Sequence, residues 1–373
     1  MYIYYLLALI PVIIGGIILM VSNNKETSIK QWIFGSIAAF IVAGMIHAMT
    51  VYGMTQDLEV WTGEISNAIY YPHWVNTYEE AHHTYDSDGN ISMTWYTTEH
   101  DNMDNYSEMN VSFGSGVVEA MRIDNNYFEQ LSRKFNNRSF STPFKSRFYS
   151  GDRNVYHTFN KDKLCIPITI EKSFKNRVKA SPSSFSFEKV PANIPAFDYP
   201  YSKNVYRSNR LVGDAANKLD IGLFDQLNSR VGRLKKGNVI VVGFNSPDSK
   251  LGDYQRDKWL SGKKNDIVIC YGVGTLEYGV TNVVWTKAFS WGDDNKKLLG
   301  NLEKMFKEEP INNSVLPKME KEIFNNFKKM EWSKLDYIKI SPSPMWYWIY
   351  GIVMLISQIV IWFIVANLDD GGY

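Results

Sequence analysis

Apolar positions concentrate at the two ends of the chain and thin out in between. Residues 2–21 run YIYYLLALIPVIIGGIILMV without a charge, and twenty residues at about 1.5 Å each reach about 30 Å, the thickness of a bilayer's hydrocarbon core. No basic residue precedes this run and no small-residue cleavage site follows it, which predicts a retained span rather than a signal peptide. Residues 32–54, WIFGSIAAFIVAGMIHAMTVYGM, predict a second span joined to the first by a tight linker, and hence a transmembrane hairpin over 1–54. Gly35, Ala39 and Ala43 recur every fourth residue and form a close-packing face, with Gly15 and Gly16 as its counterpart. After Ser341, Pro342, Ser343 and Pro344, residues 345–367 predict a third span headed by Trp346, Tyr347, Trp348 and Tyr350, rings suited to the headgroup layer.

Between the second and third spans no other run is long enough to cross, so everything from 55 to 344 lies on one side of the membrane. Residues 55–180 alternate apolar with polar and are rich in aromatics, predicting a β-rich section in which LEVWTGEI, NISMTWYTTE and LCIPITI are strands. Asp86, Ser87, Asp88, Gly89 and Asn90 are hairpin-turn chemistry, because Gly and Asn tolerate positive φ. Residues 181–210 hold four prolines and little periodicity, and predict an extended linker. From 211 to 310 the pattern changes to alternating helix and strand, an α/β layer. Leu219, Leu223, Leu227 and Val231 mark one helical face, and NVIVVGF and DIVICYG are short apolar runs read as adjacent buried strands. Residues 311–344 hold an amphipathic helix, striped by Val315, Met319, Ile323, Phe324 and Phe327, and a juxtamembrane segment. The predicted class is a membrane-anchored α+β protein with three transmembrane helices.

A formal charge of +1 and the lack of any basic block leave nothing for a nucleic acid to bind. Lys25 and Lys30 in the first linker balance Lys334 and Lys339 beside the third span. The charge-free start of the chain then predicts the linker inside and the soluble region extracytoplasmic. The two cysteines, Cys165 and Cys270, sit in apolar runs and are read as buried strand residues rather than a disulfide.

Candidate chemistry is sparse. His73, His82, His83 and His100 lie among Glu79, Glu80, Glu99 and Asp101, a composition that permits a metal. In strands, however, neighbours such as His82 and His83 point to opposite faces, and solvated polar faces are the favoured reading. His100 on a facing strand is the one route to a third ligand beside His82. His47, Ser357 and Gln358 are polar groups inside the spans, read chiefly as interhelical hydrogen-bonding groups. Asp293 and Asp294 are placed to cap the helix that follows them, and Asp266 sits in a turn. GxSxG, HExxH, Walker A and CxxC patterns are all absent, and no cofactor is called for.

The order of a leading helix, the GNVIVV strand, a helix ending DKWLSG and the KKNDIVIC turn and strand resembles the TPM domain, an α/β module of membrane-anchored proteins that is often exposed outside the cytoplasm. Lys263, Lys264, Asn265 and Asp266 occupy that family's Lys-rich turn. The family's following glycine-rich acidic turn has no counterpart in YGVGTLEYGVTN. WTGEI, YHTF, YPYSKNVYRSNRL and WLSGKKND together resemble a group of integral membrane proteins of tailed bacteriophages. That likeness implies residence in the bacterial inner membrane of an infected host.

Two functions follow as expectations. The first is an envelope protein whose soluble module binds a protein partner or a second copy at the bilayer surface. The second, implied by the TPM resemblance, is a phosphatase-like hydrolase using Asp266, Asp293 and Asp294.

Overall fold

The long apolar runs fold as helices in a computed structural model that describes residues 10, 12–18, 21, 29–114, 118–142, 149–151, 154–201, 209–275, 281–340 and 344–368. Most of the first expected span lies outside these residues; its described part, α1 over 12–18, is helical. α2 (Ile29–Thr55) and α9 (Pro344–Leu368) are the two described helices long and apolar enough to cross a bilayer. Only 28% and 22% of their apolar windows are buried, far less than in the core helix of a water-soluble protein. Their outward faces carry Ile33, Ile37, Ile41, Met49, Trp348, Ile356 and Phe363.

By compactness the chain divides into two units. The first comprises Met1–Glu59, Ser173–Pro191 and Glu331–Tyr373. Its helices meet where the small residues are: Ala39 and Ala43 are fully buried, and the Trp362 ring lies against Gly15 and Gly35. Trp32 packs edge-on to Trp362 with ring centroids 5.5 Å apart. The spacing of small residues thus works as expected, by admitting a large ring against the backbone. Below the helices, the single turn α4 (Arg177–Ala180) is tied on two sides. Asn176 donates to Asp57 Oδ2 at 2.7 Å, and Arg177 donates to Asp336 Oδ1 at 3.1 Å and to the Ile338 carbonyl at 3.0 Å.

The second unit, Val60–Lys172 with Ala192–Met330, contains most of the β structure. β1 (Gln56–Tyr71) continues directly from α2, followed by β2 (Trp74–Tyr85), β3 (Ile91–Met103), β4 (Tyr106–Ser112) and β5 (Val118–Ile123). After helix α3 (Asn125–Phe135) come β6 (Ser139–Ser141), β7 (Tyr149–Gly151), β8 (Val155–Phe159) and β9 (Pro167–Lys175). One sheet has the order β5-β4-β1-β8-β6, with β9 also on β1. Phe128, Leu131 and Phe135 of α3 pack against Ile65, Met109, Val111 and Ile168 of this sheet. α3 is bounded by Asp124, whose side chain accepts from the Asn126 N–H, and by Asn136 at φ 48°. A separate sheet has the order β3-β2-β7.

The α/β layer begins with β10 (Leu211–Val212), which lies parallel to β11 (Asn238–Phe244), itself parallel to β12 (Asp266–Thr275); β13 (Thr281–Phe289) closes the sheet antiparallel. The two apolar runs are neighbours as expected, Val239 opposite Ile267 and Val241 opposite Ile269. Every residue of β11 is buried because both faces of the sheet are covered. On one face lie α5 (Ile221–Lys235), α7 (Lys296–Glu308) and α8 (Val315–Asn326), through Phe224, Leu227, Leu302, Phe306 and Met319. On the other lie α6 (Lys250–Lys258) and the segment carrying Ile194, Phe197 and Tyr199.

Three expectations need correction. The inward face of α5 is Phe224, Leu227 and Val231, while Leu223 is exposed, because the helix starts only at Ile221 and Leu219 ends a preceding 3-10 turn. The described C-terminal end of the proline-rich run is a strap on the sheet rather than a free linker: Phe197 exchanges backbone bonds with the Gln255 amide at 2.8 and 3.1 Å. Cys165 precedes β9, since Pro167 opens that strand, and its thiol is half-buried near Glu64; Cys270 is a buried strand residue as read, and both are free.

Candidate functional site

The KKND turn is the most elaborate polar site of the second unit. α6 ends in three successive residues with positive φ, Leu260 (52°), Ser261 (62°) and Gly262 (82°). For the first two this conformation costs energy and must be held by surrounding contacts. The Leu260 and Ser261 N–H groups bond to the Asp257 and Arg256 carbonyls at 3.1 and 2.9 Å, and Asp266 fixes the residues that follow: its fully buried carboxylate accepts from the Lys263 N–H at 2.7 Å, the Asn238 amide at 2.8 Å and the Tyr199 hydroxyl at 2.9 Å. Burial pushes its pKa up, opposed by those hydrogen bonds. Lys263 places its ammonium over the Tyr199 ring at 4.9 Å.

Sequence reasoning missed the residue at the centre of this network. Arg210, 1% exposed, donates to Thr62 Oγ1, to Asn238 Oδ1 at 3.2 Å and to Asp225 Oδ1 at 3.1 Å. Burial lowers its pKa to about 10, so it remains a cation at neutral pH. Asn265 donates to the Val60 carbonyl at 2.8 Å. Chemically the ensemble is a buried charge lock that joins β1 to the α/β sheet. Asp266→Asn is expected to lower stability by about 1–3 kcal/mol, since an amide turns one acceptor into a donor facing other donors. Denaturant titration of the full chain in mild detergent checks this, and an unchanged midpoint would contradict it.

Asp293 and Asp294 face solvent, their side chains 92% and 64% exposed, in ion pairs with Lys296 and Lys328. Asp266 points into the core, so the three carboxylates suspected from sequence do not converge. Nor does either aspartate cap α7: its N-cap is Asn295, whose amide reaches the Trp291 carbonyl at 2.7 Å.

The histidines lie on or beside the β2–β3 hairpin. His82 bonds Thr97 at 2.7 Å, His83 bonds Thr94 at 2.9 Å and His100 bonds Thr77 at 3.0 Å, while His73 is exposed before β2. His100 stands opposite Thr77 and therefore lies on the face opposite to His82; it shares a face with His83, but about 20 Å away along the strand. Among the described residues no group of three or more metal-ligating side chains comes together.

Within the apolar helices, His47 is half-buried and Ser357 donates to the Met354 carbonyl at 3.0 Å. Gln358 is 2% exposed, and among the described residues neither end of its amide has a hydrogen-bond partner. A buried unsatisfied amide is costly. Gln358→Leu is therefore expected to stabilise the helical unit by about 1–2 kcal/mol, measurable as a higher detergent-resistant melting temperature; a fall would mean that the amide holds something in the membrane.

The hairpin itself is the most exposed part of the second unit. β2 and β3 pair from Trp74–Met103 to Tyr85–Ile91, and among the described residues β7 adds to β2 at Trp74, Val75 and Asn76. Asp86 fastens the turn by accepting from the Asn90 and Asp88 N–H groups, which lowers its pKa, with Gly89 at φ 82°. Tyr85, Ile91, Met93, Trp95 and Tyr96 are all exposed. The chain matches no family model, no curated protein and no solved structure.

Proposed function

We propose that this is a membrane-anchored envelope protein whose soluble unit binds a protein partner at the bilayer surface. The observation that carries the reading is the β2–β3 ribbon. Beyond Asn76 its described residues are almost all exposed, with a cluster of Tyr85, Ile91, Met93, Trp95 and Tyr96, and among the described residues it is a two-stranded ribbon, a form that is marginal in water without something to pack against. The apolar, outward-facing α2 and α9 support the anchor. The phage resemblance favours the inner membrane of an infected bacterium as its location. The resemblance to TPM domains favours an extracytoplasmic soluble unit.

A photoreactive amino acid in place of Tyr96 should give a discrete protein adduct in intact membranes, whereas one in place of Leu234, exposed on α5, should not. No adduct at Tyr96 would count against a binding module. Protease added to intact spheroplasts should digest the soluble unit; survival until permeabilisation would reverse the orientation.

A further inference from the structure

The outer edge of β3 lies free along its whole length among the described residues, since the sheet order is β3-β2-β7. A free edge presents unpaired backbone N–H and C=O groups to any strand that approaches. Native edges are guarded by charged side chains, lysine above all, or by proline; β3 has no lysine or proline, and the charges it carries are the acidic Glu99 and Asp101. The register adds chemistry to this edge. Asp101 pairs with Asn76, Glu99 with Tyr78, Thr97 with Glu80 and Trp95 with His82, so Glu80, Glu99 and Asp101 share one face with Trp95 around Tyr78. Their summed negative field raises the Tyr78 phenol pKa, Asp101 contributing most. The opposite face carries Glu79, and the turn carries Asp86 and Asp88. None of these carboxylates forms an ion pair among the described residues, and no Lys or Arg occurs anywhere between Lys30 and Arg122.

Resting on the reading of a partner-binding module, we propose that the β3 edge is the docking site for an extended basic segment of a partner protein, which adds to the sheet as a further strand. Backbone bonds along β3 supply the register. Side chains of an added strand alternate between faces, so a cation at every second position meets Glu99 and Asp101 and can lie over the Trp95 ring. A second copy is disfavoured as the occupant because two such edges bring like charges together, and an anionic lipid surface is disfavoured for the same reason.

The test uses the full chain in zwitterionic nanodiscs and a fluorescent nine-residue peptide alternating Lys with Thr and Val. Saturable binding is expected. It should weaken at least tenfold when alternate peptide amides are N-methylated, which keeps the charge but removes the donors, and at least tenfold in the Glu80→Gln, Glu99→Gln, Asp101→Asn variant with unchanged melting temperature. Equal binding of the methylated peptide, equal binding by the neutralised ribbon, or a concentration-dependent dimer that excludes the peptide would each overturn the proposal. Adducts at Tyr96 without peptide binding would sink the edge mode and leave the binding module standing; absence of both would remove the module as well.

Discussion

Arg210→Met is expected to destabilise the second unit by about 3–5 kcal/mol, the range for removing one partner of a buried ion pair. The substitution keeps much of the side-chain length, so packing changes little. What is lost is the cation. Asp225, whose side chain is 18% exposed, loses its bond to the guanidinium, and Thr62 and Asn238 lose a donor. Asn238 also bonds Asp266, so the defect reaches the turn at Lys263. Arg210→Lys does not rescue fully, since one ammonium cannot reproduce a planar fork aimed at Thr62, Asn238 and Asp225. Adding Asp225→Asn to Arg210→Met should recover part of the loss, because it removes the carboxylate that the guanidinium balanced. Urea unfolding of the full chain, followed by tryptophan fluorescence, measures all three; a loss under about 1 kcal/mol for Arg210→Met would mean that the guanidinium is not paired in the core.

The parts of this fold legible in the sequence were those encoded locally. Uninterrupted apolar length marked α2 and α9, and the apolar runs NVIVVGF and DIVICYG marked β11 and β12. Turn chemistry placed the bend at Gly89. What was hidden depends on distant partners. Arg210 is one of three basic residues in a polar stretch, with Lys203 and Arg207, and what sets it apart is its bond to Thr62, 148 positions earlier. On the inward face of α5 one member was misassigned, Leu223 in place of Phe224, because the helix starts only at Ile221 after a 3-10 turn, while Leu227 and Val231 point inward as read. Of the candidate sites, the suspected residues were visible but not their relation: the cross-strand register alone decides that His100 joins the face of His83 and that Glu80, Glu99 and Asp101 share another. Solvated polar faces were read for the ribbon, but the exposure of Met93, Trp95 and Tyr96 on it was not, since alternation is the same whether a second face is covered or bare.

Val241→Asp is expected to abolish folding of the α/β layer. Val241 is fully buried in the middle of β11, between Leu211 of β10 and Ile269 of β12, and its side chain joins the core formed with Phe224, Leu227 and Phe306. A carboxylate there has no cation to pair with, because Arg210 is already engaged by Thr62, Asn238 and Asp225. The cost of several kcal/mol rivals the whole stability of an ordinary domain, about 5–15 kcal/mol. Val241→Thr separates polarity from shape: it keeps the branched outline and adds one hydroxyl, so it should cost about 1–3 kcal/mol and leave the protein folded. The pair is read by limited proteolysis and thermal unfolding of the full chain in detergent. Threonine should shift the melting temperature downward, and aspartate should leave the layer protease-sensitive at all temperatures while the apolar helices remain protected by the micelle. If the aspartate variant melted like the parent, β11 would have to lie at a solvated edge, and the paired order β10-β11-β12 would be wrong.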